Sequence, residues 1–511
     1  MTASIITTLP PALPETGFNL AAHVLAAGMA APDRIALQLL SLSGAERWSY
    51  GRLVAAVRGV ATGLLAEGLT PGDRILLRLD NSPDFPVTFL AAITAGLIPV
   101  PTSAQLTAPE VEKLCATVTP RLIVQAEGVA IPDAPPCPVL PAARLAAMAD
   151  LPPAEFALGD SGRLAYIVFT SGTSGRPQAV AHAHRAILAR ALMTDGWYGL
   201  TGADRLMHAG AFNWTYTLGT GLMDPWTAGA TALIPAPGVT PAQLPILLKR
   251  FDATIFAAAP GVYRQMLRAD LPALPRLRHG LSAGESLPPA LRTEWRTRTG
   301  TDIHEALGMS EISTFISGSP GRPAPEGLAG HVQPGRTVAV LDDKGTPVPR
   351  GTSGILAIHR SDPGLFLGYF NDPEASAARF TGDWFVTGDT VQMEADGAIR
   401  YLGRGDDMMN AGGFRVSPLE VESAMIGFPG LTNCAAVELD LRPGTSVIAC
   451  AYAAAAPLDD SALTAHAETR LARYKQPRIW AHMPDFPQGA NGKINRRLIR
   501  QILATSRANL D

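Results

Sequence analysis

Residues 164–177 read Leu-Ala-Tyr-Ile-Val-Phe-Thr-Ser-Gly-Thr-Ser-Gly-Arg-Pro, an apolar run followed by a loop of small and hydroxylated residues. The run over 164–169 predicts a buried strand, and a helical pattern follows over 185–192. We therefore expect a strand, a loop and a helix in that order. In such a loop, small residues let several backbone N–H groups converge on an anion, and the hydroxyl groups add donors. The stretch predicts a phosphate-binding loop in an α/β fold.

The loop differs from the Walker type, because no Gly-Lys-Ser/Thr follows it. Taken alone, a loop of this composition is equally compatible with an ordinary flexible turn. Its candidate phosphate ligands are Thr170, Ser171, Gly172, Thr173, Ser174 and Gly175.

Short apolar runs at 74–79, 122–124 and 254–259 alternate with helical-period segments at 53–65 and 86–95. This alternation predicts an α/β fold with parallel-rich sheets in a large N-terminal domain. Strands separated by Gly and Pro turns follow Gly335 and predict a small β-rich subdomain. We place a domain boundary within Gly403-Arg-Gly-Asp-Asp407, which gives an N-terminal domain over 1–404 and a small, mobile α+β C-terminal domain over 405–511.

The chain has 511 residues, 47% apolar and 17% charged, and a formal net charge of −3. Its length favours at least two domains, and its charge offers no strong attraction to nucleic acid or to an anionic membrane. The longest apolar stretch, 87–100, is too short to span a bilayer and predicts a buried helix running into a strand. The four cysteines are far apart, which argues against a disulfide framework or a zinc site. We expect a cytoplasmic protein without nucleic-acid or membrane partners.

Further motifs follow the loop in order. They are His184, Ala283-Gly-Glu-Ser-Leu-Pro288, Leu307-Gly-Met-Ser-Glu311, Thr387-Gly-Asp389, Gly403-Arg-Gly-Asp-Asp407, Gly412-Gly-Phe-Arg-Val-Ser-Pro418 and Gly492-Lys493. With these motifs nearly the whole chain resembles the adenylate-forming superfamily of acyl- and aryl-CoA synthetases, adenylation domains and luciferases. The resemblance implies an enzyme that uses ATP, Mg²⁺ and coenzyme A to convert a small carboxylic acid into an acyl-adenylate and then a thioester.

The resemblance also assigns roles to individual residues. It implies that Glu311 helps to hold the Mg²⁺ that bridges the ATP phosphates, and that Asp389 accepts hydrogen bonds from the ribose hydroxyls. Arg404 offers a planar fork of donors to the same nucleotide. Lys493 is expected to meet the carboxylate and the phosphate oxygens, where a fixed cation stabilises the charge that develops as pyrophosphate leaves. As isolated residues, all four would be read as solvated charges or members of surface ion pairs.

Further roles concern the nucleotide and the movement of the C-terminal domain. Gly284 and Glu285 match a nucleotide-binding motif of the family. Asp406 occupies the family's hinge, where rotation exchanges Lys493 for the loop 411–416 beside the acyl-adenylate. In that loop Gly413 would let the backbone approach the pantetheine arm, and Arg415 is a candidate phosphate contact. A simple Gly-rich turn remains the alternative for each of these glycines.

Two residues depart from the family's pattern. Gln178 stands where the phosphate loop usually carries Lys, so a cation near the leaving phosphates is missing or supplied by Arg176. Leu307 stands where many relatives have a Tyr near the adenine. We expect an altered affinity for ATP or an altered rate rather than an inactive protein.

The segment 212–219 resembles the corresponding region of benzoate-type CoA ligases. Trp214 and Tyr216 could line a short pocket, because bulky rings exclude long chains by volume. Aromatic core packing is an almost equal alternative. The expected opposite wall, whose hydroxyls could bond a ring substituent or cap a helix, contains Gly308, Met309, Ser313, Thr314 and Ser317.

Two other functions stay open at this point. An adenylating enzyme that loads a carrier protein would share these motifs, although no carrier domain is visible here. A nucleotide-binding protein that has lost catalysis is suggested by Gln178, but it would not require Lys493. A homodimer is a further open question.

Overall fold

A computed structural model describes residues 2–171, 177–405, 407–411, 414–442, 445–471, 473–488 and 494–508. They divide into two compact units. The larger unit contains Ile6–Val338 and Ile358–Phe385, and the smaller unit contains Met1–Ile5, Ala339–Ala357 and Val386–Asp511. The mixture of helices and parallel-rich sheets confirms the predicted α/β class.

The first half of the chain forms β1 (Ile5–Thr7), α1 (Leu20–Ala30), β2 (Ile35–Leu40), β3 (Ala45–Ser49), α2 (Tyr50–Ala66), β4 (Arg74–Arg78), α3 (Asp84–Thr94), β5 (Ile98–Pro101), α4 (Ala108–Val118), β6 (Leu122–Gln125), β7 (Val139–Pro141), α5 (Leu145–Ala149), β8 (Leu164–Ser171), β9 (Pro177–Ala183), α6 (Ala186–Ala191), β10 (Arg205–Ala209), α7 (Asp224–Thr227), β11 (Thr231–Pro235) and α8 (Leu244–Arg250). Two π-helical turns, Thr194–Tyr198 and Thr217–Met223, flank β10.

The second half forms β12 (Ile255–Ala258), α9 (Pro260–Leu267), β13 (His279–Ala283), α10 (Pro289–Thr299), β14 (Ile303–Met309), β15 (Ser313–Ser317), β16 (Gly330–Val332), β17 (Thr337–Leu341), β18 (Ser353–His359), β19 (Gly368–Tyr369), α11 (Pro373–Ala377), β20 (Phe380–Thr381), β21 (Trp384–Met393), β22 (Ala398–Arg404), β23 (Met409–Ala411), β24 (Phe414–Val416), α12 (Pro418–Met425), β25 (Asn433–Arg442), β26 (Thr445–Ala453), α13 (Asp460–Glu468), β27 (Ile479–His482) and α14 (Arg496–Ala508).

The main sheet of the larger unit has the strand order β3-β2-β11-β10-β12-β13-β14-β15-β16. Its central pairs, from β2 to β14, are parallel. A parallel sheet is covered on both faces, so its strands are mainly apolar. In β12, Phe256 packs in the core cluster around Trp295, and its neighbour Ile255 packs on the opposite face in the cluster with Trp197. The sheet therefore separates two cores.

Two smaller sheets complete the larger unit. Strands β5-β4-β6-β7 form a parallel sheet, and β19-β9-β8 form an antiparallel one. The predicted buried helix and strand over 87–100 are present as α3 and β5. No helix among the described residues is long and apolar enough to cross a membrane.

The smaller unit contains most of each of the strands β17, β18 and β21, all of β22, and a sheet of order β25-β26-β27. Pro418 stands at the first position of helix α12, and the Ser417 hydroxyl accepts from the Glu420 N–H. Glu422 of α12 and Arg496 of α14 form an ion pair whose Oε2 and Nη2 are 2.8 Å apart. This pair joins the two helices over the sheet. The boundary between 404 and 405 stays a prediction.

A buried ion pair in the larger unit supplies a stability test. Arg336 Nη1 and Asp362 Oδ1 are 2.5 Å apart, and their side chains are 0% and 1% exposed. Because Asp362→Asn leaves a buried guanidinium without its counter-charge, we expect a loss of about 3 kcal/mol and an unfolding temperature lower by several degrees, measured by thermal denaturation.

The matched control is Asp383→Asn. Asp383 pairs with Arg360, and their side chains are 67% and 54% exposed. Exposed pairs contribute at most about 1 kcal/mol, so the control should unfold close to the wild type. Equal unfolding temperatures for the two variants would contradict the importance of the buried pair.

Candidate active site

Strands β14 and β15 form a tight hairpin whose tip carries Glu311. Met309 lies opposite Ser313, and the pairing is irregular at Gly308. A Cβ at Gly308 would lie 2.3 Å from the Ser313 carbonyl oxygen, so only glycine fits there. Ser313 has φ +75°, a backbone conformation that few non-glycine residues adopt. The turn is thus built with local strain, and the surrounding contacts must hold it.

Three hydrogen bonds hold the tip of this hairpin. The Tyr369 hydroxyl donates to Glu311 Oε1 at 2.8 Å, and the Phe366 N–H donates to the Glu311 carbonyl oxygen at 2.8 Å. His182 Nε2 lies 2.7 Å from the Ser310 carbonyl oxygen. The Glu311 carboxylate is therefore fixed and almost fully buried. The sequence motifs indicated Glu311 but neither Tyr369 nor His182, because only the fold brings these two residues to the hairpin.

The predicted phosphate loop connects β8 to β9. Thr170 at its start is half-buried and lies opposite Gln178 in the antiparallel register. The helix predicted over 185–192 is present as α6, which spans Ala186–Ala191. The sequence did not predict the strand Pro177–Ala183 that lies between the loop and this helix. The small residues of β9 gave no strand signal in the sequence. Gly172, Thr173, Ser174 and Gly175 lie outside the described residues, as does the side chain of Ser171.

The β8–β9 hairpin and the Glu311 hairpin are linked through β19. Tyr369 in β19 lies opposite Val180 of β9, and Gly368 lies opposite Ala181. The Tyr369 side chain then reaches Glu311. The strand that carries the loop and the turn that carries the carboxylate are therefore positioned by one connected set of hydrogen bonds.

The segment that follows β13 carries the predicted nucleotide contacts Gly284 and Glu285. Gly284 has φ +98°, and a Cβ there would lie 2.7 Å from the Trp214 ring. Glu305 of β14 accepts hydrogen bonds from the Leu287 N–H and from Arg292 Nη2, both at 3.1 Å. Burial raises the pKa of Glu305 to about 7, although Arg292 opposes this shift. This largely buried carboxyl group fixes the end of the segment.

Trp214 and Tyr216 lie together beside Gly284, with ring centroids 5.2 Å apart and an interplanar angle of 90°. Tyr216 is buried, and its hydroxyl donates to the Leu281 carbonyl oxygen at 3.1 Å. Trp214 is half-buried. The structure therefore brings these two predicted pocket residues together, and Tyr216 also packs in the core, as the alternative interpretation expected.

A polar cluster that the motifs did not indicate lies next to this wall. Arg190 of α6 donates from Nε and Nη2 to the two carboxylate oxygens of Asp224, at 2.8 and 2.6 Å. The Tyr198 hydroxyl donates to Asp224 Oδ2 at 2.6 Å. Arg190 Nη1 donates to Ser313 Oγ at 2.5 Å. The cluster thus anchors Ser313, the strained residue of the Glu311 hairpin. Arg190 and Asp224 are 34 positions apart in the chain, so no motif in the sequence indicates their pairing.

The smaller unit contains the other predicted nucleotide ligands. Asp389 of β21 lies opposite Arg404 of β22, and its Oδ1 is 3.4 Å from Arg404 Nη1. Tyr401 donates its hydroxyl to the same oxygen at 3.2 Å, and the Asp389 N–H donates to the Thr387 hydroxyl at 3.0 Å. The structure therefore brings Asp389 and Arg404 together. Tyr401 was missed, although it stands only three residues before Arg404.

Several predicted residues cannot be placed. Lys493, Asp406 and Gly413 lie outside the described residues, and of Arg415 only the backbone, in β24, is described. Their roles stay predictions.

Comparison with known proteins agrees with this geometry. Residues 26–370 match the family described as AMP-binding enzyme. A benzoate–CoA ligase of Thauera aromatica is 31% identical over 92% of this chain and 95% of its own length. A mitochondrial acyl-coenzyme A synthetase of Mus musculus is 30% identical over 92% of this chain and 87% of its own.

A solved structure is similar throughout. The crystal structure of ATP-bound MatB from Rhodopseudomonas palustris superimposes with a TM-score of 0.86 at 26% identity, covering 96% of this chain and 99% of its own. The carrier-loading and non-catalytic alternatives are not favoured by these relatives. The chain belongs to the AMP-binding enzyme family, and it is an acid–CoA ligase that converts a carboxylic acid and ATP into an acyl-adenylate and then an acyl-CoA thioester.

Proposed function

We propose that the acid is small, either a benzoate-type aromatic acid or a short acyl acid. The observation that carries this proposal is the position of Trp214, whose ring occupies the space above Gly284. Together with Tyr216 it closes the wall with two large rings, and bulky side chains exclude long chains by volume. Gly308, Met309 and Thr314 of the Glu311 hairpin form the opposite wall in this proposal. The Thr314 hydroxyl lies 2.5 Å from the Met193 sulfur.

The names of two relatives agree with the two kinds of acid in this proposal, an aromatic acid and an acyl acid. One acts on benzoate and another is an acyl-coenzyme A synthetase. A panel of benzoates and short to medium fatty acids, assayed for pyrophosphate release with and without coenzyme A, tests the proposal. Turnover confined to long-chain acids would contradict it.

In the adenylation step, we assign Glu311 to Mg²⁺. Mg²⁺ prefers oxygen ligands and is usually bound through one or two carboxylates together with substrate phosphates. Glu311 fits this demand, since Tyr369 occupies one carboxylate oxygen and the other has no partner among the described residues. Mg²⁺ would neutralise charge on the phosphates. Thr170, Ser171, Gly172, Thr173, Ser174 and Gly175 would donate hydrogen bonds to the same phosphates.

The remaining assignments follow the family motifs. Asp389 and Arg404 would hold the ribose, and Gly284 and Glu285 would contact the rest of the nucleotide. Lys493 would hold the carboxylate of the acid beside the phosphate group that this carboxylate attacks.

After adenylation, rotation at Asp406 would replace Lys493 with the segment around Gly413 and Arg415 for the attack by coenzyme A. A cytoplasmic location and a homodimer remain predictions from the sequence.

Replacement of Lys493 separates the two half-reactions. Lys493→Ala removes the cation that stabilises the adenylation transition state, so we expect adenylate formation to fall by about 100-fold or more. Thioester formation from supplied acyl-adenylate should stay within a few-fold of the wild-type rate. Both rates are measured by rapid-quench chromatography.

The matched control is Lys475→Ala, which removes a partly exposed lysine that pairs with Glu420. It should leave both half-reactions nearly unchanged. Equal losses of both half-reactions in Lys493→Ala would refute the proposed exchange.

Glu311→Gln keeps the shape of the side chain but removes its charge. Because a neutral amide is a weak ligand for Mg²⁺, we expect kcat/KM for ATP to fall by roughly 100-fold. Calorimetric titration with ATP should show the wild-type affinity rising on addition of Mg²⁺ and the variant's affinity hardly changing.

Glu326→Gln, at an exposed glutamate, provides the control and should bind ATP as the wild type does. If Mg²⁺ strengthened ATP binding equally in Glu311→Gln and the wild type, the assignment of Glu311 to the metal would be wrong.

A further inference from the structure

The side-chain amide of Asn81 joins two parts of the larger unit that are far apart in the sequence. Asn81 lies in the turn between β4 and α3, and its Nδ2 donates to the Gly210 carbonyl oxygen at 2.8 Å. Its Oδ1 accepts from the Phe212 N–H at 3.0 Å. A primary amide is the side-chain group that can donate and accept at once in this way. Asn81 therefore fixes the course of the backbone just after β10 ends at Ala209.

Helix α3 provides a firm base for this amide. Phe85 in its first turn packs on Phe212, with ring centroids 5.5 Å apart, and the two side chains are buried. Every residue of α3 after Asp84 is buried as well. The backbone of residues 210–212 is thus held from one side by both a ring contact and two hydrogen bonds.

The segment 210–217 is a loop that carries Trp214 near its middle. Its two ends lie together, because a Cβ at Gly210 would be 2.4 Å from Thr217 Oγ1. The Trp214 N–H donates to the Ala211 carbonyl oxygen at 3.1 Å. In the described part of the chain, no side chain other than Asn81 forms a hydrogen bond with the backbone of residues 210–214. The path of the backbone from β10 to Trp214 therefore depends on Asn81.

The position of the Trp214 ring depends in turn on this backbone. The ring lies against Gly284, where a Cβ would be 2.7 Å away, and its centroid is 5.2 Å from that of Tyr216. Trp214 is only half-buried, whereas Tyr216 is buried in the core. Packing therefore leaves one side of the Trp214 ring open. A shift of about 1 Å in the loop would change the shape of the wall that the two rings form.

We propose that Asn81 is a positioning residue for recognition of the acid. By fixing Gly210 and Phe212, it holds the Trp214 ring in place as a wall of the acid pocket. It acts through Trp214 and does not itself touch the acid or the nucleotide. The inference rests on the proposed function, since that function makes Trp214 a wall of the pocket.

Replacement of Asn81 by Ala tests this role. Both hydrogen bonds to the loop are lost, so we expect the KM for the acid to rise by about tenfold. The KM for ATP and kcat should stay within about twofold of the wild-type values, because a wall away from the reacting carboxylate binds the ground state and the transition state equally. Pyrophosphate release is measured with the best acid of the panel of benzoates and fatty acids, varying one substrate at a time.

The matched control is Gln125→Ala. Gln125 is likewise a half-buried amide of the larger unit, and its Nε2 donates to the Val129 carbonyl oxygen at 2.7 Å. It forms no described bond with the loop 210–217, so the KM values for the acid and for ATP should both stay as in the wild type. An unchanged KM for the acid in Asn81→Ala, or an equal rise in the two KM values, would overturn the inference.

A double-mutant cycle tests whether Asn81 acts through Trp214. Trp214→Ala should raise the KM for the acid by itself. Once the ring is absent, removal of Asn81 has little left to displace, so the double variant should stay within about twofold of Trp214→Ala. Effects that multiply would show that Asn81 acts independently of Trp214 and would overturn the inference.

The same variants separate this inference from the proposed function. If Trp214→Ala raised the KM for the acid and Asn81→Ala did not, the pocket wall would stand and the role of Asn81 would be wrong. If Trp214→Ala left that KM unchanged, both would be wrong. Should Asn81→Ala fail to fold, Asn81→Asp carries the test, because it keeps the shape and the acceptor for the Phe212 N–H but loses the donor to Gly210; its KM for the acid should rise and its KM for ATP should not.

Discussion

The hydrogen bonds at the tip of the Glu311 hairpin are the constraint on which the candidate site depends. A carboxylate that is to bind a cation must stay charged, buried and correctly oriented, and a strained turn cannot orient it alone. Tyr369 fixes one carboxylate oxygen and Phe366 fixes the backbone of the same residue. Because Tyr369 belongs to β19, which pairs with β9, the orientation of Glu311 is coupled to the strand that carries the phosphate loop. The Glu311 carboxylate and the strand that follows the phosphate loop are thereby positioned without any ligand.

The sequence predicts those features whose physical signal is local. Helix α12 begins after a serine cap and a proline, both of which are local signals of a helix start. The strand β8 is a continuous apolar run. In contrast, β9 is built mainly from small residues, and only its pairing with β8 and β19 makes it a strand. Local patterns gave no reason to place a strand between the phosphate loop and α6.

The part of the site that motifs missed consists of long-range polar contacts. In the sequence, Arg190 and Asp224 look like ordinary charged residues. Only the fold buries them together with Tyr198. The family motif draws attention to His184, yet His184 Nδ1 accepts from the Leu20 N–H at the start of α1 and so supports the fold. His182, two residues earlier, faces the hairpin. His182 lies within β9, whereas His184 follows the last residue of the strand, so the end of the strand separates these two roles.

Gln178, which stands where the phosphate loop of the family usually carries Lys, lies in β9. Gln178 lies opposite Thr170, where β8 and β9 pair through backbone hydrogen bonds that do not depend on the side chain. A substitution there removes one cation but leaves the register of the two strands that lead into and out of the loop. Backbone donors in a phosphate loop depend on that register, whereas a lysine adds only a point charge. The change should therefore weaken the electrostatic contribution to phosphate binding and leave the architecture of the loop intact.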